Sequence, residues 1–307
     1  MTLDEIFAAL VKDGRVELKE RSVGAKTLEQ HGLEVVGEEA RLPGGVVLLE
    51  AGTIRKRLGR EASEWLSSLQ LLPHIESTNK HLMEIAESGS VDGIVLLAEV
   101  QTGGRGRRGR AWISPFGRNI AMSMGMKLVC HPADLGAVSL VIGLAVADVL
   151  RSVGVRSVTL KWPNDVLMEG RKVSGILIEL ASSSDSMEMV IGVGINVGAK
   201  EFLMAGIEQE VADVTEQIRD LSRSVLAGKV INSVHRYCRQ FEEHGFGVFH
   251  DRWMALHAHQ DQQVMVTSGS AAVHGICRGI SRSGALLVDN GTEVIELIGG
   301  EVTVRRA

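Results

Sequence analysis

From Leu135 to Ala147 the chain carries no charged or strongly polar residue, and Asp134 and Asp148 bracket the run. It is shorter than the roughly 18 apolar residues that suggest a membrane span, so it has to be buried in a core. Leu135, Val138, Ile142, Val146 and Val149 recur at helical spacing and predict a buried helix. A helix this apolar needs partners, and its neighbours supply them. Ile94 to Val100, Ile120 to Leu128, Val158 to Leu160, Val173 to Leu180 and Met187 to Val193 read as strands, while 79 to 87, 134 to 152 and 213 to 243 read as helices.

The texture changes near Gln260. Short β-rich segments at 263 to 268, 272 to 280, 284 to 289, 292 to 297 and 301 to 305 are divided by Ser281-Arg282-Ser283-Gly284, Asn290-Gly291 and Gly299-Gly300. Asn-Gly between alternating apolar residues is a hairpin signal, because both positions of the tight turn need positive φ. At 307 residues the chain is long enough for more than one domain. The start, Met-Thr-Leu-Asp-Glu, lacks the basic head and apolar run of a signal peptide. Cys130, Cys238 and Cys277 have no Cys-x-x-Cys spacing and fit a reduced cytoplasm rather than a zinc site or disulfide framework. His257, His259 and Asp261 raise the idea of a metal, but they fall beside the expected domain boundary and read as structural.

Between Gly103 and Trp112 four arginines (Arg105, Arg107, Arg108, Arg110) stand among four glycines, in a chain of formal net charge -5. Glycine lets the backbone approach a ligand closely, and each guanidinium offers a planar fork to phosphate or carboxylate. The segment is built to close over a polyanion. Gly104, Gly106 and Gly109 also spell G-x-G-x-x-G, yet Ser114, Pro115, Phe116 and Gly117 follow where a dinucleotide fold needs an apolar helix. An RNA-binding Arg-Gly segment fits poorly with a single copy in an acidic chain. A merely solvated charged loop is the remaining plain alternative.

A second cluster, Lys161-Trp162-Pro163-Asn164-Asp165, ends a strand-like run, and Gly170 to Glu179 (G-R-K-V-S-G-I-L-I-E) follows after one turn. Alone, Asn164 and Asp165 after a proline make a common turn. A third element, Ser77-Thr78-Asn79, precedes a helical pattern, which Ser77 is suited to cap. Gly192 and Gly194 read as close backbone packing rather than a phosphate loop. Taken together, E-S-T-N, Q-T-G-G-R-G-R-R-G-R-x-W, K-W-P-N-D, R-K-V-S-G-I-L-I-E and G-V-G-I-N-V resemble, in order and spacing, biotin protein ligases of the bacterial, repressor-like type. The resemblance runs from about Leu72 to the C-terminus.

That resemblance implies an α+β fold: a class II synthetase-like catalytic domain with a mixed sheet over 56–258, an SH3-like β-barrel over 259–307, and an incomplete winged-helix-like region over 1–55. It implies ATP-dependent joining of biotin to AMP and transfer of the biotinyl group to a lysine of a biotin carboxyl carrier protein, such as that of acetyl-CoA carboxylase. Ser77, Thr78, Asn79 and Gln101 are then expected in the biotin pocket with Gly175, while Arg105, Gly106 and Arg107 wrap the biotin tail and acyl phosphate. Arg108 and Arg110 are expected to face the nucleotide phosphates. Lys172 is expected between carboxylate and α-phosphate, as the residue on which the chemistry most depends. Asn164, Asp165 and Asn196 are expected at the nucleotide, Arg305 to assist there, and Asp165 to contact Mg2+. Related lipoate ligases share this logic, but the arginine loop and K-W-P-N-D favour biotin. A ligand-dependent homodimer and no membrane association complete the implied picture.

Two departures from the family stand out. Repressor-type relatives begin with a DNA-binding winged helix-turn-helix; here a hairpin wing is readable from Leu33 to Glu50 and a helix from Leu3 to Val11, but 15–31 leaves scant room for two further helices. Residues 1–52 hold six Lys or Arg against ten Asp or Glu, a poor balance for contacting phosphates, so operator binding is expected to be weak or absent. Such relatives also bring an aromatic ring against adenine from the stretch Glu201 to Val230, where Val211 occupies the matching position.

Overall fold

A computed structural model of the chain describes residues 1–18, 23–129, 134–183, 186–203, 210–268, 271–298 and 301–304. The N-terminal unit consists of α1 (Leu3–Asp13), β1 (Arg15–Glu17), α2 (Ala25–Gln30), β2 (Glu34–Val36) and β3 (Glu39–Arg41). Thr2 and Glu5 form a reciprocal capping box at the start of α1, and Gly14 ends it in the left-handed conformation. β3 lies between β1 and β2 in a small antiparallel sheet, and the hairpin expected over 33–50 is confined to Glu34–Arg41, with no strand over the described residues 42–50. Only α2 is described between β1 and β2; 19–22 lie outside the described residues.

Two short helices, α3 (Ala51–Arg55) and α4 (Arg60–Trp65), lead into the central unit, with β4 (Ser68–Leu72), α5 (Thr78–Ala86), β5 (Ile94–Ala98) and β6 (Asn119–Lys127). Next come α6 (Leu135–Ser152), β7 (Val158–Lys161), β8 (Asp165–Met168), β9 (Arg171–Ser183), β10 (Ser186–Asn196), α7 (Lys200–Leu203), α8 (Arg223–His244) and α9 (Gly247–Met254). The central sheet runs β4-β5-β6-β10-β9-β8-β7; β4 and β5 are parallel and the other pairs antiparallel. It is a mixed sheet, as the family resemblance implies.

Period-two alternation decides what each face of this sheet does. Val95, Leu97, Ile120, Met122, Met124, Met189, Ile191, Val193 and Ile195 join one core with α6 and α8. The opposite face carries Leu96 and Val190, covered by Leu82 of α5. Beyond α5 that face bears small or polar residues, Ala121, Ser123, Gly175, Gly192, Gly194 and Asn196, leaving open space above them.

The buried helix expected from the apolar run is α6, in which Ala137, Leu140, Val141, Leu144, Ala145, Ala147 and Leu150 are buried as well; it is enclosed by the sheet, α8 and α9. Two other expectations differ from the structure. The helix expected over 213 to 243 begins at Arg223, capped by Ser222, while Asp213 caps a separate short turn at Val214–Glu216. Asp165 opens a strand, β8, rather than merely completing a turn.

The C-terminal unit is an antiparallel sheet of β11 (Gln263–Ser268), β12 (Ala271–Ile280), β13 (Leu286–Asp289), β14 (Val294–Leu297) and β15 (Glu301–Val304), in the order β14-β13-β12-β11-β15. The β13–β14 hairpin falls at the Asn-Gly signal but as a loop over 290–293, with Asp289 paired to Val294, in which Gly291 (φ 92°) and not Asn290 takes positive φ; Asn290 Oδ1 accepts from the Thr292 and Glu293 amides at 2.9 Å. Trp162 Nε1 donates to Gly284 O at 3.1 Å, tying this unit to the central one.

The N-terminal unit shares its core with the central one. Val100 and Phe116 belong to the same apolar cluster as Ile6, Phe7, Leu10 and Leu28, and the Phe7 and Phe116 rings stack at 5.3 Å. His74 Nδ1 lies 2.5 Å from Asp4 Oδ1, and its Nε2 3.1 Å from Thr102 Oγ1. Both ends of the arginine-rich segment are therefore braced from α1.

Candidate active site

The open part of the sheet floors a cavity of about 880 Å3, within the usual range for small-molecule sites. Its walls come from the start of α5, the 101–113 segment, the β7–β8 turn, β9, Val211, His259 and Val302. Ser77, Thr78, Asn79, Gln101, Arg105, Gly106, Arg107, Arg108, Arg110, Asn164, Asp165, Lys172, Gly175 and Asn196 all line it. Arg305 and Cys130 lie outside the described residues. Among the described lining residues Arg105, Arg107, Arg108, Arg110, Lys161 and Lys172 face a single carboxylate, Asp165. The cavity is thus strongly cationic in an acidic protein.

One end is neutral and hydrogen-bonding. Ser77 caps α5 by accepting from Lys80 N at 3.4 Å, so its backbone holds Thr78 and Asn79 at the helix start. Gln101 Oε1 accepts from Thr78 N at 2.8 Å and Thr78 Oγ1 at 2.9 Å. Asn79 Nδ2 donates to Glu179 Oε2 at 2.8 Å, while Ser123 Oγ lies 2.5 Å from Asn79 Oδ1 and 2.7 Å from Thr78 Oγ1. Sequence reasoning gave Ser123 and Glu179 no role. A serine inside I-A-M-S-M-G-M carries no signal until register places it opposite Gly192.

The glycines on β10 are explained by what they admit, and packing is the reading that holds. A Cβ at Gly192 would overlap Asn79 Oδ1, and one at Gly194 would overlap the Trp112 indole. The 103–112 segment folds back on itself: Trp112 N donates to Gly104 O at 2.9 Å and Gly106 N to Arg110 O at 2.7 Å. Between them is a tight turn at Arg107–Gly109, where Arg108 and Gly109 take positive φ. This lays Trp112 under the segment and over β10. Gly194→Ala is expected to displace the indole at a cost of about 1–3 kcal/mol, weakening ligand binding roughly ten- to a hundredfold. Titration followed by tryptophan fluorescence checks this; unchanged affinity would contradict the packing role.

At the cationic end, Lys172 Nζ lies 2.7 Å from Asp165 Oδ1 and 5.7 Å from the Trp112 ring centroid. A bulge between β8 and β9 at Val166 and Leu167 brings the two side chains together. Gly175 leaves room for the lysine, since a Cβ there would stand 3.2 Å from Nζ. Asn164 Nδ2 donates to Ile176 O at 2.8 Å, and its Oδ1 accepts from Arg107 Nη1 at 3.4 Å. Arg108 Nη2 donates to Thr267 O of β11 at 3.2 Å, so the C-terminal unit also holds the loop. Asn196 Nδ2 donates to Ala212 O at 3.0 Å. Asn196 Oδ1 and Trp112 Nε1 are buried without a hydrogen-bond partner among the described residues. Buried polar atoms are rarely left so, and both line the cavity.

His259 joins the wall, a contribution the sequence did not suggest. Burial, the Lys161 charge and His257 push its pKa down to about 4, and burial does the same for His257. Among the described residues no group of three or more His, Cys, Asp or Glu is placed to hold a metal. Both imidazoles stay neutral in the fold but protonate near 6.5 when unfolded. Their stabilisation is present above pH 6.5 and is lost as pH falls from there towards 4. Denaturant melts across that window are expected to flatten in a His257→Phe/His259→Phe variant.

Known proteins resemble this arrangement. The biotin/lipoate A/B protein ligase family matches residues 71–196, and the biotin protein ligase C-terminal domain matches 259–305. The bifunctional ligase/repressor BirA of Salmonella typhimurium is 37% identical over 287 residues, spanning 92% of this chain and 87% of the relative. A biotin-[acetyl-CoA-carboxylase] ligase of Mycobacterium tuberculosis is 33% identical over 265 residues, covering 83% of this chain and 95% of its own length. Among solved structures, a biotin protein ligase from Aquifex aeolicus in complex with biotin and ATP superposes with a TM-score of 0.68 at 30% identity, covering 78% of this chain and all of that one.

Proposed function

The chain belongs to the biotin protein ligases, and from that premise we propose which of its residues perform the ATP-dependent attachment of biotin to acetyl-CoA carboxylase. The observation that carries the assignment is the convergence of three separate stretches, 77–79, 101–110 and 164–175, on one cavity. The neutral end suits an uncharged bicyclic urea: Ser77, Thr78, Asn79 and Gln101 supply donors and acceptors to biotin's head. Arg105, Gly106 and Arg107 cover its tail. Two anions, the biotin carboxylate and the α-phosphate of ATP, must then meet, and the task is to offset their repulsion and align them.

Lys172 does this from the floor, exchanging its ion pair with Asp165 for the developing acyl phosphate. Attack of a carboxylate oxygen on the α-phosphorus expels pyrophosphate, towards which Arg108 and Arg110 face, with Arg305 an additional contact. Asn164 and Asn196 hold the nucleoside side. Asp165, one carboxylate beside the phosphate oxygens, would hold Mg2+, which would screen the charge of the ATP phosphates. The biotinyl-adenylate then loses AMP to the amine of the carrier lysine, a step needing alignment more than a further nucleophile. Val211 gives adenine an aliphatic wall where repressor-type relatives use a ring.

The same reading divides the chain into a winged-helix-like unit (1–55), a class II synthetase-like catalytic domain (56–258) and an SH3-like barrel (259–307). A cytoplasmic location accords with the free thiols of Cys238 and Cys277, and no helix among the described residues is long and apolar enough to cross a membrane. A ligand-dependent homodimer completes the proposal.

The BirA relatives suggest a repressor role as well. The acidic balance of residues 1–52 weighs against tight operator binding. In a mobility-shift assay at low salt with biotinyl-adenylate, weak and sequence-independent retention is expected; tight, specific retention would restore the repressor reading. For the ligase itself, pyrophosphate release should require biotin and ATP. Release with lipoate in biotin's place would redirect the substrate assignment.

A further inference from the structure

Two residues past Asn196 the chain lines a second, smaller cavity of about 410 Å3, formed by Arg118, Gly198, Lys200, Phe202, Thr215 and Arg219. Three of those six residues are cationic, in a chain of net charge -5. Lys200 lies 3.2 Å from Glu216 Oε2, an atom that Arg171 also holds at 2.9 Å. Among the described residues no carboxylate pairs with Arg118 or Arg219. Arg118 Nε is moreover buried without a hydrogen-bond partner there.

The recess has a fixed floor. Asp213 is wholly buried, and its carboxylate accepts from Gly198 N at 2.7 Å, Ala199 N at 2.6 Å, Thr215 N at 2.8 Å and Thr215 Oγ1 at 2.6 Å. These bonds hold the segments bearing Lys200 and Arg219 against each other. Gly198 has φ +80°, and the Arg118 side chain passes within 3.8 Å of where its Cβ would stand, so that arginine lies along the backbone edge.

We propose that this recess is a second anion site, separate from the ligase cavity, that takes a small phosphorylated ligand carrying two or more phosphates. Guanidinium forks match phosphate oxygens in pairs, and the lysine adds a point charge. A recess of this size admits a diphosphate and lets Phe202 lie against whatever it is attached to. A nucleic-acid backbone would instead call for an extended basic stripe. The site also touches the ligase cavity through the chain itself, because Ala212, next to Asp213, bonds the Asn196 amide and pairs with the Lys172 backbone.

The test uses the full-length protein with its main cavity first filled by a non-hydrolysable biotinyl-adenylate analogue. Calorimetric titration with inorganic pyrophosphate should then show one equivalent bound. Arg118→Gln/Arg219→Gln should weaken it tenfold or more while leaving binding of the analogue unchanged. If the double variant does not fold, Arg219→Gln alone, at an exposed position, should weaken it severalfold. No pyrophosphate binding to the filled protein, or binding that these variants retain, overturns the proposal. Equal binding of citrate would point to a carboxylate-bearing polypeptide and overturn it too. Failure of the analogue to bind would count instead against the proposed ligase site.

Discussion

Replacing Lys172 by alanine is expected to slow biotin-dependent pyrophosphate release by about a hundred- to a thousandfold, the usual loss when one preorganised charge is removed from a developing anion. The side chain is well placed for it: Nζ sits 2.7 Å from Asp165 Oδ1, above a floor that Gly175 and Gly194 keep free of side chains. With side-chain exposures of 20% and 12% the pair is largely buried, and Lys172→Ala leaves Asp165 without its partner, so the rate is compared on protein whose folding is checked by its melting temperature. Lys172→Arg should not rescue the rate, because the space beside Gly175 fits an ammonium and not a planar fork. Asp165→Asn should act differently, raising the ATP requirement more than it lowers the rate with saturating biotin. Stopped-flow measurement of pyrophosphate release separates the two; a Lys172→Ala enzyme within a few fold of the parent would refute the role.

The largest effect on stability is expected at a pair that does not line the ligase cavity. Arg223 and Glu99 have side chains only 7% exposed and meet at 2.7 Å. Arg223 also donates to Asn119 O at 3.1 Å and Val47 O at 2.7 Å, while Glu99 Oε1 accepts from Leu49 N at 2.5 Å. The pair therefore fastens the 47–49 linker to the ends of β5, β6 and α8. Arg223→Ala strands a buried carboxylate and should cost about 3–5 kcal/mol. Arg223→Met with Glu99→Gln should cost much less, since neither partner is then left charged alone. Urea unfolding gives both values, and equal costs for the two variants would show that the charge is not what matters.

Much of the site was legible because its chemistry is written locally. Four arginines among glycines, a Lys-Trp-Pro-Asn-Asp turn and a helix-capping serine each declare their chemistry through residue types at short spacing. What brings them together is long-range register. Ser123 meets Asn79 only because β6 pairs with β10 and α5 crosses both, and Gly194 explains itself only once Trp112 lies on it. His259 enters the wall because α9 returns the chain to β7, where Leu160 and Ala258 share a backbone bond at 2.9 Å. The helix start at Arg223 was missed for a local reason: residues 213–222 hold apolar side chains at helical spacing, but Asp213 turns its carboxylate onto Gly198 and Ala199 instead of continuing a helix. The packing of Phe7 on Phe116 carried no sequence signal, since each reads simply as an apolar residue in its own segment.

Charges from separate stretches converge on one reacting pair, and a crystal structure of this protein with biotinyl-adenylate decides whether they do. The acyl phosphate is expected about 3 Å from Lys172 Nζ, with the backbone of Arg105 to Arg107 closed over the biotin tail and the ureido ring against Thr78, Asn79 and Gln101. An adenylate seated elsewhere, or one whose phosphate finds Lys172 and the loop arginines turned away, would contradict it.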